Sequence, residues 1–173
     1  MLGLERPDSQ KSASFMTPAK TEARVGRRAW VTALLLAIVA CLNYADRTAI
    51  SSVFPLLRSD LGVSDLQLAA IGSFFLWSYA IGSSAAGLLA DRLSRSRIIV
   101  TTLVAWSLVT ICTGLSRNIT ELLITRVLLG IAECCYLPAA IALIGSHHPP
   151  STRGTALGIH LFGLNLGLIV GAD

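Results

Sequence analysis

The sequence predicts an all-α membrane protein, and three observations carry that prediction. Hydrophobic residues make up 53% of the chain and charged residues only 14%, whereas charged residues make up about 25% of a typical soluble domain. Long stretches carry no Asp, Glu, Lys or Arg. They are residues 66–90, 98–116, 134–146 and 155–172. Since about 20 apolar residues cross a bilayer as a helix, and since these stretches do not alternate as barrel strands do, helices are favoured.

The N-terminal part of the chain predicts a tail followed by the first span. Residues 1–27 are polar and mixed in charge, which is typical of a disordered cytoplasmic tail. The basic pair Arg27-Arg28 and the apolar run after it are similar to a signal peptide in outline. No small-residue cleavage site follows, so we expect an uncleaved first span over residues 30–54.

Four further spans are expected in order along the chain. A polar loop at residues 57–65 precedes the second span, and the Ser64 hydroxyl can cap its first turn. Pro138 interrupts the fourth span and predicts a kink, because proline cannot donate a helix hydrogen bond. The remaining predicted spans are residues 66–90, 98–116, 121–145 and 155–173.

The positions of the basic residues predict the orientation of these spans. Most of the 14 Lys and Arg residues fall in the tail, in the turn at residues 92–97, or at Arg153. Since cytoplasmic loops are enriched in Lys and Arg, we expect a multi-pass protein of the cell inner (plasma) membrane with a cytoplasmic N-terminus. The net charge of +4 is then a topology signal and does not indicate nucleic-acid binding.

The sequence does not predict an enzyme, a cofactor or a metal centre. The cysteines lie in apolar segments without zinc-type spacing, where Cys usually packs as a small hydrophobe. His147 and His148 stand beside two prolines and are more typical of a solvated loop than of a metal site. A nucleophile–base set does not occur in the loops.

Charged residues inside two spans are the candidate functional residues. Charge at membrane depth is costly, so it usually faces a bundle interior or a wet cavity and marks a substrate or proton path. Arg126 and Glu133 are seven residues apart, about 10.5 Å along one helix face. A carboxyl group as deep as Glu133 must meet a cation or take up a proton, whereas Arg126 could instead extend toward the interface.

The first span carries a second charged group. Asn43 and Arg47 share a helix face, and Asp46 points about 100° away from it. A buried guanidinium matches the two oxygens of a carboxylate, so Arg47 is a candidate anion-binding group. The alternative is an Asp46–Arg pair between helices that only fixes packing.

Two further patterns concern packing and the cytoplasmic side. Gly163, Gly167 and Gly171 recur at four-residue spacing, which predicts close packing of the fifth span on a neighbour. The turn between the second and third spans is rich in charge, and its basic residues favour the cytoplasmic face. Its candidate residues are Gly87, Asp91, Arg92, Arg95 and Arg97.

Several of these patterns together resemble the major facilitator superfamily. The run from Gly87 through Asp91-Arg92 to Arg97 is similar to the signature loop of that family, with Ser94 where the pattern usually has glycine. Arg126-x-x-x-Gly130-x-x-Glu133 resembles its fourth-helix motif. The resemblance covers about residues 30–173. Within the family, Asn43-Tyr44-x-Asp46-Arg47 and residues 74–80 look like the anion:cation symporter branch.

The resemblance implies a fold of about twelve spans in two six-helix halves. The chain would then form most of the N-terminal half, truncated before the C-terminal half and not competent alone. Its function would be proton-driven symport of an organic anion such as a sugar acid. Substrate contacts would come from Arg47, Arg126, Asn43 and Tyr44, proton coupling from Asp46 and Glu133, and the gating loop from the charged turn.

Two alternatives remain open. Spinster-like transporters of lipids or other solutes share the fourth-helix Arg126 and Glu133 pattern. A small membrane subunit that does not itself transport would also fit the composition.

Overall fold

The computed structural model describes residues 25–90 and 93–172, and this part of the chain is entirely helical apart from short connections. The all-α prediction is confirmed. Residues 1–24 of the expected tail lie outside the described residues, and the first helix begins at Arg27. The helices are α1 (Arg27–Ser52), α2 (Phe54–Leu61), α3 (Asp65–Ala90), α4 (Arg95–Gly114), α5 (Ile119–Glu133), α6 (Tyr136–His147) and α7 (Pro150–Val170).

Five helical segments are long and apolar enough to cross a membrane, as the sequence predicts. They are α1, most of α3, α4, α7, and α5 with α6 taken together as one 29-residue segment. Their outer faces carry large apolar side chains, such as Trp77 with 69% of its surface exposed and Ile81 with 70%. Such an exterior suits hydrocarbon and not water.

The outer connection between the first two spans differs from expectation, because much of the predicted loop at residues 57–65 is helical. α2 has Pro55 in its first turn, where a missing N–H does no harm, and Gly62 ends it at a φ of 61°. Ser64 then caps α3 as predicted. The Gln67 N–H donates to Ser64 Oγ at 3.3 Å, and the Ser64 N–H donates to Gln67 Oε1 at 2.9 Å.

The fourth span is interrupted at Cys134 and Cys135, between α5 and α6. Pro138 has no N–H to donate to the Cys134 carbonyl, and its ring crowds that carbonyl. The break therefore falls four residues before the proline, and α5 ends at Glu133. The predicted interruption is observed, and it places a candidate residue at a helix end.

Small residues set the closest helix contact. α1 packs along α7, and α3 packs along α5. A Cβ atom added at two glycines of α7 or at the glycine that caps its C-terminus would overlap backbone carbonyls of α1, so the predicted close packing is confirmed. The pairs are Gly163 with Ala37, Gly167 with Cys41 and Gly171 with Ala45.

The inner connection before α7 corrects the expectation for one histidine. His147 is exposed, but His148 is buried and therefore does not lie in a solvated loop. Its ring meets Trp30 edge-on with 5.0 Å between centroids, and its Nδ1 lies 3.1 Å from the Ile144 carbonyl oxygen. This contact joins the start of α1 to the end of α6.

Candidate functional site

Arg47 of α1 and Glu133 of α5 form an ion pair inside the bundle. Arg47 Nη2 donates to Glu133 Oε2 at 2.7 Å, and the exposed fractions of the two side chains are 19% and 2%. A charge-assisted bond of this length is among the stronger hydrogen bonds in proteins. The pair joins two helices whose candidate residues are 86 positions apart in sequence.

Three aromatic rings surround the guanidinium of Arg47. Its central carbon lies 4.5 Å from the ring centroid of Tyr44, 4.6 Å from that of Phe75 and 5.0 Å from that of Tyr79. All three distances fall within the range of attractive cation–π contacts, about 6 Å. Arg47 is therefore held by one carboxylate and by the faces of an aromatic cage.

Phe75 and Tyr79 were not among the candidate residues of the sequence analysis. They lie one turn apart on α3, and their ring centroids are 6.0 Å apart. The available signal was their spacing, because their neighbours Phe74 and Trp77 point outward and are exposed. Two aromatic residues four positions apart mark the inward face of this helix.

Asp46 engages a different helix from Arg47. Asp46 Oδ2 accepts a hydrogen bond from Trp106 Nε1 at 2.9 Å and another from Thr110 Oγ1 at 3.1 Å. Both donors lie on α4. Ion pairs between described residues join Arg47 to Glu133 and Arg58 to Asp65, so the alternative of an Asp46–Arg packing pair is not seen.

Arg126 is buried, with 5% of its surface exposed. It therefore does not extend to the interface as a surface arginine would. Its Nε has no hydrogen-bond partner among the described residues. The carboxylates of Asp46 and Glu133 both attract its guanidinium at longer range. The site thus holds a second buried guanidinium with an unused donor.

A small cavity lies beside Glu133. Its volume is about 10 Å³, and its walls include Asn43, Trp106, Glu133 and Tyr136. That volume is roughly what one water molecule needs. Glu133 Oε1 has no hydrogen-bond partner within the described ranges. Asn43 is also buried, in agreement with its position on the same helix face as Arg47.

Two residues of the predicted gating turn, Asp91 and Arg92, fall outside the described residues. Gly87 lies in the last turns of α3. Arg95 begins α4, and its Nη1 donates to the Ala142 carbonyl of α6 at 3.2 Å, whereas Arg97 is exposed. Ser94, which replaces the usual glycine, has an ordinary φ of −66°.

The arrangement is that of a membrane transporter segment. Paired and unpaired charges lie inside an apolar helix bundle, where they can meet a charged solute and a proton. In the part of the chain that the structure describes, His, Cys, Asp and Glu do not form a group of three or more that could hold a metal ion.

Residues 36–172 match the model of the Major Facilitator Superfamily. The chain belongs to that family, which comprises transporters and not enzymes. The predicted resemblance is therefore confirmed, and the curated relatives below agree with its anion-transporting branch.

Two curated relatives show the likeness. The rice protein named "Probable anion transporter 2, chloroplastic" (Oryza sativa subsp. japonica) is 31% identical over 170 residues, which cover 97% of this chain and 32% of that protein. The "Probable galactarate/D-glucarate transporter" of Pseudomonas putida is 31% identical over 144 residues, which cover 80% of this chain and 32% of that protein. The chain spans about a third of the length of these relatives.

A solved structure agrees with the fold. A bacterial homologue of the human lysosomal transporter Spinster, in its inward-facing and occupied conformation, matches with a TM-score of 0.76 at 33% identity. The match covers 81% of this chain and 30% of that one. The five spans are therefore arranged as in part of a major-facilitator transporter.

Proposed function

We propose that this chain is part of a proton-coupled symporter for a small organic anion, such as a sugar acid or another carboxylate. It works in the cell inner (plasma) membrane with its N-terminus in the cytoplasm. The observation that carries the proposal is the buried Arg47–Glu133 pair beside a second buried guanidinium, Arg126. The names of the anion and sugar-acid transporters that the chain resembles support the choice of substrate class.

Charge balance supports proton coupling. Arg47 and Arg126 are opposed by Asp46 and Glu133, so the four groups sum to zero when all are ionised. A substrate carboxylate adds one negative charge, and one proton on Glu133 or Asp46 cancels it. Since an uncompensated charge is costly in an apolar interior, one proton for each substrate charge keeps the occupied site neutral.

The geometry suggests an order of events. Proton uptake by Glu133 removes the charge that holds Arg47, so the guanidinium fork becomes available to a substrate carboxylate. Arg126 offers a second cationic contact, and Asn43 and Tyr44 lie on the Arg47 side of α1. The complementary half of the transporter closes over the site and the two halves rock about it, with the turn from Gly87 to Arg97 as the inner gate.

The decisive experiment replaces Glu133 in the complete transporter that contains this segment. Glu133→Gln keeps the size of the side chain but cannot take up a proton. We expect substrate exchange across proteoliposomes to persist and accumulation driven by a pH gradient to fall to background. Glu121→Gln is the matched control, since Glu121 is exposed at the start of α5. Undiminished pH-driven accumulation in Glu133→Gln would contradict the proposal.

A Spinster-like transporter of lipids or other solutes is the second candidate, and the match to the Spinster homologue favours it. Competition assays separate the two. Uptake of labelled sugar acid that other carboxylates inhibit supports the anion symporter, and transport of labelled lipid without uptake of sugar acid supports the second candidate. If the complete protein takes up neither kind of solute, the remaining candidate is a small membrane subunit that does not itself transport.

A further inference from the structure

Asp46 is a polar link between α1 and α4, two helices that also contribute Leu36 and Ile98 to one apolar core cluster. Within the described ranges α1 packs mainly on α7, and α4 packs mainly on α5 and α6. The small cavity lined by Asn43 of α1 and Trp106 of α4 lies in the gap between them. The two hydrogen bonds from Trp106 and Thr110 to one oxygen of Asp46 cross this gap.

Both donors on α4 are neutral. The span of α4 from residue 98 to its end carries no Asp, Glu, Lys or Arg, so it offers Asp46 hydrogen bonds but no charge. Such bonds are roughly twice as strong to an ionised carboxylate as to a neutral acceptor. The contact between the helices is therefore tight while Asp46 is charged and weak once it is protonated.

We propose that Trp106 and Thr110 are positioning residues for Asp46. They hold its ionised carboxylate against α4, and proton uptake by Asp46 loosens this polar contact between α1 and α4. This inference rests on the proposed function, in which Asp46 takes part in proton coupling. It adds α4 to the moving parts, although α4 carries no charged candidate beyond Arg95 and Arg97.

The charges that act on Asp46 come from α5 and from its own helix. Arg126 attracts the carboxylate and Glu133 repels it, while Arg47 is its neighbour on α1 but engages Glu133. When the Asp46 side chain leaves α4, it becomes available as a partner for Arg126 or Arg47. Protonation of Asp46 would in this way affect the two arginines of the anion site.

The test uses the 173-residue chain in lipid nanodiscs and needs no transport assay. With ¹⁵N-labelled tryptophan, the three indole N–H resonances of the chain are resolved, and Trp106→Phe assigns that of Trp106. We expect this resonance to move upfield in Asp46→Asn, because a neutral amide oxygen is a weaker acceptor than an ionised carboxylate.

Variants at Thr110 make the test quantitative. Thr110→Val removes one of the two donors to Asp46 Oδ2, so the Trp106 resonance should move downfield because its indole N–H no longer shares that oxygen. Thr110→Ser keeps a hydroxyl donor and should restore the wild-type position of the resonance. Thr113→Val is the matched control, because the Thr113 hydroxyl donates to the Val109 carbonyl of its own helix.

A Trp106 resonance that stays in place in Asp46→Asn overturns the inference, as does one that stays in place in Thr110→Val. These outcomes are independent of the transport experiment. If Glu133→Gln transports normally while the Trp106 resonance shifts as expected in the variants, the proposed function fails and the hydrogen-bond contact stands. If Glu133→Gln loses pH-driven accumulation but the Trp106 resonance does not shift as expected, the proposed symporter stands and the proposed role of α4 is rejected.

Discussion

Asp46 and Arg47 are adjacent in the chain, yet their side chains join α1 to different helices. Asp46 accepts hydrogen bonds from α4, and Arg47 donates to Glu133 at the end of α5. Because one residue turns a helix by about 100°, the dipeptide directs an acid and a base into separate environments. Substitutions at the two positions should therefore have different consequences.

Arg47→Lys should weaken substrate binding by about tenfold or more. Lysine keeps the positive charge but loses the planar fork and the stacking on the three rings around Arg47. The dissociation constant of the substrate for the complete transporter, from isothermal calorimetry, is the measurement. Arg58→Lys is the control, since Arg58 lies in an exposed pair with Asp65. Equal affinity in wild type and Arg47→Lys would show that only the charge matters.

Glu133→Ala should destabilise the chain by about 3–5 kcal/mol, because it leaves the Arg47 guanidinium without its partner in an apolar interior. The free energy of unfolding in mixed micelles, from denaturant titration, is the measurement. The double variant Arg47→Met with Glu133→Leu should recover most of that loss, since an apolar pair of similar size needs no counter-charge. A double variant as unstable as Glu133→Ala would refute this account.

Gly167→Ala should destabilise the contact between α1 and α7, because the added methyl group overlaps the Cys41 carbonyl. The loss should exceed 1 kcal/mol, as overpacking typically costs about 1–3 kcal/mol. Gly158→Ala on the same helix meets nothing within 4 Å and should be neutral or stabilising, since alanine favours helix over glycine by about 1 kcal/mol. Thermal unfolding of both variants compares them directly, and equal midpoints would argue against the close contact.

Ser64→Ala should remove the cap of α3 and cost about 1 kcal/mol. The effect is local, since the Ser64 hydroxyl contacts only the first turn of that helix among the described residues. Hydrogen exchange of the amides in the first turn of α3 should accelerate, while exchange in α5 should stay unchanged. Faster exchange throughout the bundle would mean that the residue has a wider role.

The spans and the buried charges were predictable from the sequence for energetic reasons. Long charge-free runs can be satisfied only as membrane helices, and groups as costly as Glu133 and Arg126 had to face the interior. The glycine spacing of α7 predicted a close contact because small side chains are its direct cause.

The pairing of those charges was not predictable. Whether Arg47 or Arg126 meets Glu133 depends on how α1 and α5 cross, and nothing local encodes that crossing. Trp106 and Thr110 are neutral residues of types common in membrane helices, so no pattern marked them as partners of Asp46. The helix α2 was missed because the polar residues 57–65 were interpreted as a loop, although Pro55 just before them is also favourable in the first turn of a helix.

The contact between α1 and α7 limits how the site can move. Its glycines follow a four-residue step, which is about 6 Å along a helix, and its last contact, between Gly171 and Ala45, lies one residue before Asp46. A smaller slip of one helix along the other would push backbone into backbone. The two helices therefore resist sliding along each other, so an axial shift of α7 would carry Asp46 and Arg47 with it.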